Sequence, residues 1–191
     1  MLFFFQVAVG DASNGYLNVY DEDTLDLITT FRAHSGPIYR LKQITYNDYL
    51  ATSSGDGSVK IWNPFNNWQL IDHGSNWVYA LEYLKSDSMV SGSVDRTIKI
   101  WYIITGQTSR TISTGWEVFS LKLLSNGFYL AAGLGDSKIH IFSVNTGSLI
   151  TTLNGHTGRV RDLVLIGNLL ANSSEDTTIS YIHHQVQFKW T

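Results

Sequence analysis

A short segment recurs along this chain at a nearly constant interval, and this repeat limits the possible fold more than any other feature. Its four clear copies are LATSSGDGSVKIW (50–62), MVSGSVDRTIKIW (89–101), LAAGLGDSKIHIF (130–142) and LANSSEDTTISYI (170–182). Each copy has an aspartate in its turn, and these aspartates are 39, 41 and 40 residues apart: Asp56, Asp95, Asp136 and Asp176. A weaker copy occupies residues 7–20. A period of this length is typical of solenoids and propellers.

Each period contains four short predicted strands. An apolar strand precedes each clear copy (36–44, 76–84, 116–124 and 158–166), and another strand follows each unit (26–31, 68–72, 107–112, 148–153 and 185–190). The connecting turns contain Gly, Asn and Asp, as antiparallel hairpins require. Four antiparallel strands every 40 residues or so make one blade of a β-propeller. The predicted fold class is therefore all-β, a single propeller domain over residues 1–191. It has a partial blade at 1–31 and complete blades at 32–72, 73–113, 114–153 and 154–191.

The repeat resembles the WD-repeat family over nearly the whole chain. The Trp-Asp dipeptide itself is absent, since Trp62 is followed by Asn and Trp101 by Tyr, but the family's Gly-His mark is present at His156. Propellers of this family usually have about seven blades. The resemblance therefore implies a fragment of a longer protein, a propeller that closes with a partner chain, or an unusual five-bladed ring. We favour the fragment.

The resemblance also implies a hydrogen-bonded group that joins the entrance of a blade to its strands. The complete set here would be His34, Thr52, Asp56 and Trp62. The other predicted members are Ser91, Asp95 and Trp101, without an evident histidine; Asp136, with Ala132 and Phe142 at the hydroxyl and Trp positions; and His156, Asn172 and Asp176, without a Trp. A buried carboxylate is costly unless donors satisfy it. We therefore expect these residues to be structural, and the protein not to be an enzyme.

The first strand of each blade follows the order x-V/I-x-x-L, and the residues on either side of the Val or Ile are the candidate binding residues. In the family, these positions and the residue before the turn Asp surround the central channel, where peptides dock. The candidates are Tyr39, Trp77, Tyr79, Glu117, Phe119, Arg159, Arg161 and Glu175. Aromatic anchors are favoured at protein interfaces. Large residues at these positions could equally plug the channel, so both interpretations stay open.

Composition excludes several classes of function. The net charge is −3 and there is no run of Lys or Arg, so no nucleic-acid partner is predicted. No segment approaches the ~20 apolar residues of a membrane-spanning helix, and no membrane partner is predicted. The chain has no cysteine. His183 and His184 are adjacent on a predicted strand and point to opposite faces, so no metal site and no cofactor are predicted.

The predicted function is a non-catalytic scaffold that binds a protein or peptide on the channel face. Its further expected partners are a second copy of the chain or the remaining blades of a longer one. We predict a cytoplasmic or nuclear location rather than secretion, because the N-terminal residues lack a basic region and a cleavage site. One alternative is a substrate receptor of a ubiquitin ligase, although residues 62–65 and 101–104 read WNPF and WYII instead of W-D-x-R. The other is a sugar-binding propeller.

Overall fold

The computed structural model describes residues 6–45, 49–62, 68–74, 76–85, 87–125 and 127–183. Within these ranges the chain forms 18 strands in five antiparallel sheets, and the described residues contain no helix. The predicted all-β fold class is thus confirmed. The first sheet contains β1 (Gln6–Gly10), β2 (Tyr16–Asp21) and β3 (Leu27–Arg32).

Three four-stranded sheets follow in chain order. The second contains β4 (Ile38–Ile44), β5 (Tyr49–Ser54), β6 (Ser58–Trp62) and β7 (Trp68–Asp72). The third contains β8 (Val78–Lys85), β9 (Ser88–Ser93), β10 (Thr97–Tyr102) and β11 (Thr108–Ser113). The fourth contains β12 (Val118–Leu123), β13 (Tyr129–Leu134), β14 (Ile139–Ser143) and β15 (Leu149–Leu153).

The fifth sheet contains β16 (Val160–Ile166), β17 (Leu169–Ser174) and β18 (Ile179–His183). The strand predicted at 185–190 lies outside the described residues. In every sheet the strands follow one another in sequence order, so all neighbours are joined by hairpins or short loops. The division of residues 1–191 into one domain with the predicted blade boundaries stays a prediction.

The turn aspartate is needed locally because the residue after it adopts a left-handed backbone. Gly57 has a φ of 84°, and Arg96, Ser137 and Thr177 hold the same place with φ between 68° and 70°. The aspartate side chain accepts a hydrogen bond from the backbone N–H two residues on, as Asp56 does from Ser58 at 3.0 Å. Such Asx turns stabilise a tight hairpin whose residues are not all glycine.

The apolar core lies between neighbouring sheets. Ile44 and Val59 of the second sheet pack against Val78, Leu81 and Trp101 of the third. Equivalent clusters join the third sheet to the fourth and the fourth to the fifth. The second, third and fourth sheets therefore each bury one side against the sheet before and the other against the sheet after, and the first strands of the second to fifth sheets lie beside one another.

Candidate functional site

A β-bulge interrupts the first strand of each of the last four sheets at the same position. Pairing with the second strand passes directly from Ile38 to Arg40, and likewise from residue 78 to 80, 118 to 120 and 160 to 162. The residues left out of the ladder are Tyr39, Tyr79, Phe119 and Arg161. A bulge frees a residue from the pleat and re-aims its side chain. This explains why these four side chains meet at one end of the sheets.

The aromatic members of this set form a packed layer. The ring centroids of Tyr39 and Tyr79 are 4.3 Å apart, and those of Tyr79 and Phe119 are 5.3 Å apart. Burial raises the pKa of the Tyr39 hydroxyl to about 12, and the neighbouring Tyr79 adds to this shift. Trp77 lies against both tyrosines, at 6.1 and 6.0 Å, and is 49% exposed. Tyr39, Tyr79 and Phe119 therefore form the inner part of the layer, and Trp77 lies at its exposed edge.

A repeated backbone hydrogen bond fixes the remaining candidate positions around this layer. In each of the last four sheets, the N–H of the residue before the turn aspartate donates a hydrogen bond to a carbonyl in the loop that leads into the first strand. The acceptor is the residue directly before the Val or Ile that begins that strand. The pairs are Gly55 to Pro37, Val94 to Trp77, Gly135 to Glu117 and Glu175 to Arg159, at 2.8 to 3.0 Å. The turn and the loop of each sheet are thereby held together at the end that carries the aromatic layer. Glu117 also packs beside Gly135, at a place where a larger residue would meet its carboxylate.

Two arginines and one carboxylate form the charged side of this face. The Arg161 guanidinium lies 4.4 Å from the centroid of the Phe119 ring and donates from Nε to Glu175 Oε1 at 2.9 Å. Its Nη2 donates to the same oxygen, and Arg159 Nη1 lies 3.8 Å from it. Phe119 is only 6% exposed because it lies beneath these groups. It can offer little surface to a partner, unlike the side chains of Arg159, Arg161 and Glu175.

An ion pair also crosses between sheets that are far apart in the chain. Arg40 Nη2 lies 2.6 Å from Asp162 Oδ1, so the first strands of the second and fifth sheets are linked directly. The two interpretations left open by the sequence therefore describe different residues. Tyr39, Tyr79 and Phe119 fill the space between the first strands, whereas Trp77 and the charged side chains are exposed at the surface. We call this surface, made by Trp77, Arg159, Arg161 and Glu175 around the half-buried Tyr79, the channel face.

The hydrogen-bonded group proposed for the second sheet is present in the structure. Trp62 Nε1 donates to Thr52 Oγ1 at 3.0 Å, and Thr52 Oγ1 lies 2.7 Å from His34 Nε2. His34 Nδ1 lies 3.0 Å from Asp56 Oδ2. With its proton on Nδ1, a neutral His34 donates to Asp56 and accepts from Thr52, so every member of the chain is satisfied. Burial lowers the pKa of His34, which agrees with this neutral form.

Asp56 supplies the carboxylate of this group. Burial alone would raise its pKa, but hydrogen bonds from Ser58 and Ser35 and the proximity of His34 lower the pKa to about 2. Four donors lie within 3.0 Å of its two oxygens: His34 Nδ1, the N–H of Ser35, and the N–H and hydroxyl of Ser58. The group therefore ties the loop before the second sheet to the turn at its centre.

The third sheet also places a histidine beside its turn aspartate, where the sequence showed no evident one. His73 is fully buried, with Nδ1 3.5 Å from Asp95 Oδ2 and Nε2 3.4 Å from the Ser91 carbonyl. These distances are long, and Nδ1 makes no hydrogen bond. Trp101 Nε1 donates to Ser91 Oγ at 3.1 Å. The signal in the sequence was the spacing of 39 residues between His34 and His73, which equals the Asp56–Asp95 spacing.

The fourth and fifth sheets carry reduced versions of the group. Asp136 has a partner that the sequence analysis missed, since His140 Nε2 lies 3.1 Å from its Oδ2. In the fifth sheet, His156 Nδ1 lies 2.8 Å from Asp176 Oδ2 and its Nε2 lies 2.6 Å from Asn172 Oδ1. Asn172 thus takes the place of Thr52. Hydrogen bonds, chiefly from the Thr178 hydroxyl, lower the pKa of Asp176.

The structure also reveals an exposed aromatic residue that the sequence analysis passed over. Trp116 is 50% exposed and immediately precedes Glu117, in the loop that leads into the fourth sheet. An aromatic residue in the corresponding loop of the third sheet, Trp77, was a candidate. Comparison of the two loops could therefore have found Trp116.

Within the described ranges no helix could cross a membrane, and no group of three or more His, Cys, Asp or Glu residues could hold a metal ion. Successive antiparallel sheets, packed face to face with their first strands together, define the β-propeller architecture. The chain contains WD repeats: residues 25–63 and 67–102 match the model of the WD domain, G-beta repeat. Propellers of this family generally mediate protein interactions and are typically non-catalytic. The resemblance inferred from the sequence is thus confirmed.

Known proteins that resemble this chain are longer. Periodic tryptophan protein 2 of Arabidopsis thaliana is 31% identical over 182 residues, which cover 89% of this chain and 20% of that protein. Nuclear distribution protein PAC1 of Candida glabrata is 27% identical over 88% of this chain and 46% of its own length. The chain therefore spans between a fifth and about half of these relatives. Neither name refers to a ubiquitin ligase or to sugar binding.

Solved structures show the same fold. The crystal structure of the WD40 β-propeller domain of Doa1 superposes with a TM-score of 0.83 at 20% identity, and covers 97% of this chain and 63% of that one. The computationally designed Ika8 protein gives a TM-score of 0.78 at 23% identity, and covers 96% and 57%. At these identities the likeness concerns the fold alone.

Proposed function

We propose that this protein is a scaffold that binds a peptide or a peptide-like segment of another protein on the channel face. The observation that carries the proposal is the bulge repeated in four first strands, because it gathers Tyr39, Tyr79, Phe119 and Arg161 from distant parts of the sequence. A rigid layer beneath an exposed tryptophan needs little ordering when a partner docks, so less of the interaction energy is lost.

The contacts at this face favour an apolar anchor with an acidic neighbour. Trp77 is half-exposed and lies edge-on to Tyr79, which offers a surface for an aliphatic or aromatic side chain. Arg159 and Arg161 converge on a single oxygen of Glu175, so both guanidinium groups keep N–H donors for a second carboxylate. A cationic anchor is disfavoured, because Arg161 already covers the Phe119 ring.

No feature of the described residues favours a ubiquitin ligase receptor or a sugar-binding site over a general protein-binding face. The cytoplasmic or nuclear location also stays a prediction.

The test is to select binding peptides from a random library displayed on phage and to measure their affinity for substituted proteins. Trp77→Ala should weaken binding about 30-fold, which corresponds to ~2 kcal/mol for a hot-spot aromatic residue. Arg161→Lys keeps the charge but loses the planar contact with Phe119 and the paired hydrogen bonds to Glu175. This substitution should selectively weaken the binding of acidic peptides.

The matched control is Phe128→Ala. Phe128 is 60% exposed and lies in the loop between β12 and β13, at the opposite end of the fourth sheet from Glu117. This substitution should leave the affinity unchanged. Equal affinities for the Trp77→Ala protein and the unsubstituted protein would place binding elsewhere and refute the proposal.

A further inference from the structure

Two half-exposed tryptophans lie in neighbouring loops at the end of the sheets that carries the channel face. Trp77 is 49% exposed in the loop before the third sheet, and Trp116 is 50% exposed in the loop before the fourth. The third and fourth sheets both pack against a sheet on either side. The exposure of these two rings therefore belongs to the inner part of the molecule and does not arise at its outer sheets.

The turn of the third sheet joins the two loops by hydrogen bonds. On one side, the N–H of Val94 donates to the carbonyl of Trp77 at 3.0 Å. On the other side, the N–H of Thr114 donates to the carbonyl of Arg96 at 3.0 Å. The Thr114 hydroxyl lies 2.8 Å from that same carbonyl and 2.7 Å from the carbonyl of Trp116. The two tryptophans therefore flank one turn, and these hydrogen bonds fix their backbones relative to it.

Arg96 supplies a positive charge on this turn. Its side chain is exposed, and its left-handed φ of 68° resembles the φ of Gly15 and Gly57, 74° and 84°, at the same place in the first and second sheets. A side chain added at either glycine would meet backbone carbonyl oxygens of the loop that leads into the next sheet. The Arg96 side chain therefore leaves its turn towards the loop that carries Trp116.

No carboxylate among the described residues forms an ion pair with Arg96. The neighbouring Asp95 lies against His73. The nearest acid in the next loop, Glu117, packs beside Gly135 in the turn of the fourth sheet. The guanidinium of Arg96 thus keeps its N–H donors for a carboxylate from another molecule, and such a pair can be made through two hydrogen bonds at once.

We propose that the channel face extends across this turn to Trp116 and binds one extended peptide segment that has an acidic residue between two apolar residues. The apolar residues contact Trp77 and Trp116, and the acidic residue pairs with Arg96. Charge complementarity selects this partner, because a basic segment laid across the turn would bring a like charge against Arg96. The inference rests on the function proposed above and specifies the sequence pattern of its ligand.

The probe is a peptide selected on the unsubstituted protein from a random library displayed on phage. Trp116→Ala should weaken the binding of this peptide about 10-fold, as expected for an aromatic contact at an interface. Replacing either apolar residue of the peptide by Ala should also weaken binding. One of these two losses should be absent in the Trp77→Ala protein and the other in the Trp116→Ala protein, because residues in contact are not additive.

Charge reversal tests the acidic position of the peptide. Arg96→Glu should weaken binding about 10-fold, and a peptide with Lys in place of its acidic residue should recover this loss with that variant only. The controls, Phe128→Ala and Arg32→Glu, change an exposed ring and an exposed charge on the outer strand of the first sheet, and should bind the original peptide normally. If circular dichroism shows that Arg96→Glu disturbs folding, Arg96→Gln should still abolish the preference for the acidic peptide over its amide counterpart.

The outcomes separate this inference from the proposed function. If Trp77→Ala weakens binding but Trp116→Ala and Arg96→Glu do not, the channel face binds peptides without this extension, and the inference is overturned. If the Lys peptide does not recover the loss caused by Arg96→Glu, the pairing of Arg96 with an acidic residue is overturned. If the library yields no binding peptide, or if Trp77→Ala also leaves the affinity unchanged, the proposed function fails and the inference fails with it.

Discussion

The second and fourth sheets contain the same turn but support it in different ways. In the second sheet, Asp56 binds the loop before the sheet through His34 and reaches Trp62 through Thr52. In the fourth sheet, the donors to Asp136 among the described residues lie within its own hairpin: the N–H of Lys138 at 3.2 Å and His140 at 3.1 Å.

Apolar packing replaces the missing bonds in the fourth sheet. Ala132 and Phe142 are buried in the cluster shared with the third sheet, at the places held by Thr52 and Trp62 in the second sheet. In both sheets the aspartate accepts a hydrogen bond from the backbone N–H two residues on, so the comparison shows that this bond within the turn is common to them. The connection from the turn to the loop and to the third strand can instead be made by an apolar contact.

The largest expected difference comes from removing the two aspartates. Asp56→Ala leaves several buried donors without an acceptor and should lower the free energy of unfolding by about 3 kcal/mol. Asp136→Ala removes two longer bonds and should cost about 1 kcal/mol. Urea unfolding followed by tryptophan fluorescence measures both. Equal losses would show that the extra bonds of Asp56 contribute no stability.

A smaller effect is expected when the polar pair of the third sheet is rebuilt in the fourth. Ala132→Ser and Phe142→Trp each bury an unpaired polar group and should each destabilise the protein. Together they can form the bond that Trp101 Nε1 makes with Ser91 Oγ. The double variant should therefore be more stable than the sum of the single effects by about 1 kcal/mol. A strictly additive result would mean that the backbone of the fourth sheet does not bring these positions together.

The smallest expected effect is on how stability depends on pH. His34, in the hydrogen-bonded group of the second sheet, contributes to this dependence through its titration. Because burial lowers the pKa of His34 below its ordinary value of 6.5, the unfolded chain binds more protons than the folded one at mildly acidic pH. The stability contribution is thus complete above pH 6.5 and is lost as the pH falls below it. Asp56 behaves differently, since its contribution is complete above its ordinary pKa of 3.8 and is lost as the pH falls through about 2.

The measurement is the urea midpoint at about pH 7.5 and at about pH 5, below the ordinary pKa of histidine. The decrease between these two values should be smaller in a His34→Gln variant than in the unsubstituted protein. The pKa of His73 is also lowered by burial, so the double variant with His73→Gln should show a smaller decrease still. A decrease that is unchanged in the double variant would rule out both histidines as its source.

Much of the fold could be predicted because it repeats. The turn aspartates and the alternation of apolar residues recur at a period of about 40 residues, and these signals depend only on local backbone geometry. His73 was missed because it precedes its glycine instead of following it. His140 was missed because its contact with Asp136 depends on the residue paired with it on the neighbouring strand, which is Ala132. The burial of Phe119 depends on Arg161, which comes from a different sheet.

The sequence by itself determined the strands, their hairpins and the turn aspartates, since each of these depends on interactions between residues that are close in the chain. Only the tertiary structure decided which residues share the channel face, which histidines reach an aspartate and which sides of the sheets are covered. The bulge at Tyr39 and its three counterparts is a property of strand pairing. The ion pair of Arg40 with Asp162 joins residues 122 positions apart. Such contacts depend on how whole sheets pack, and packing is set by the sum of many apolar contacts that no single segment encodes.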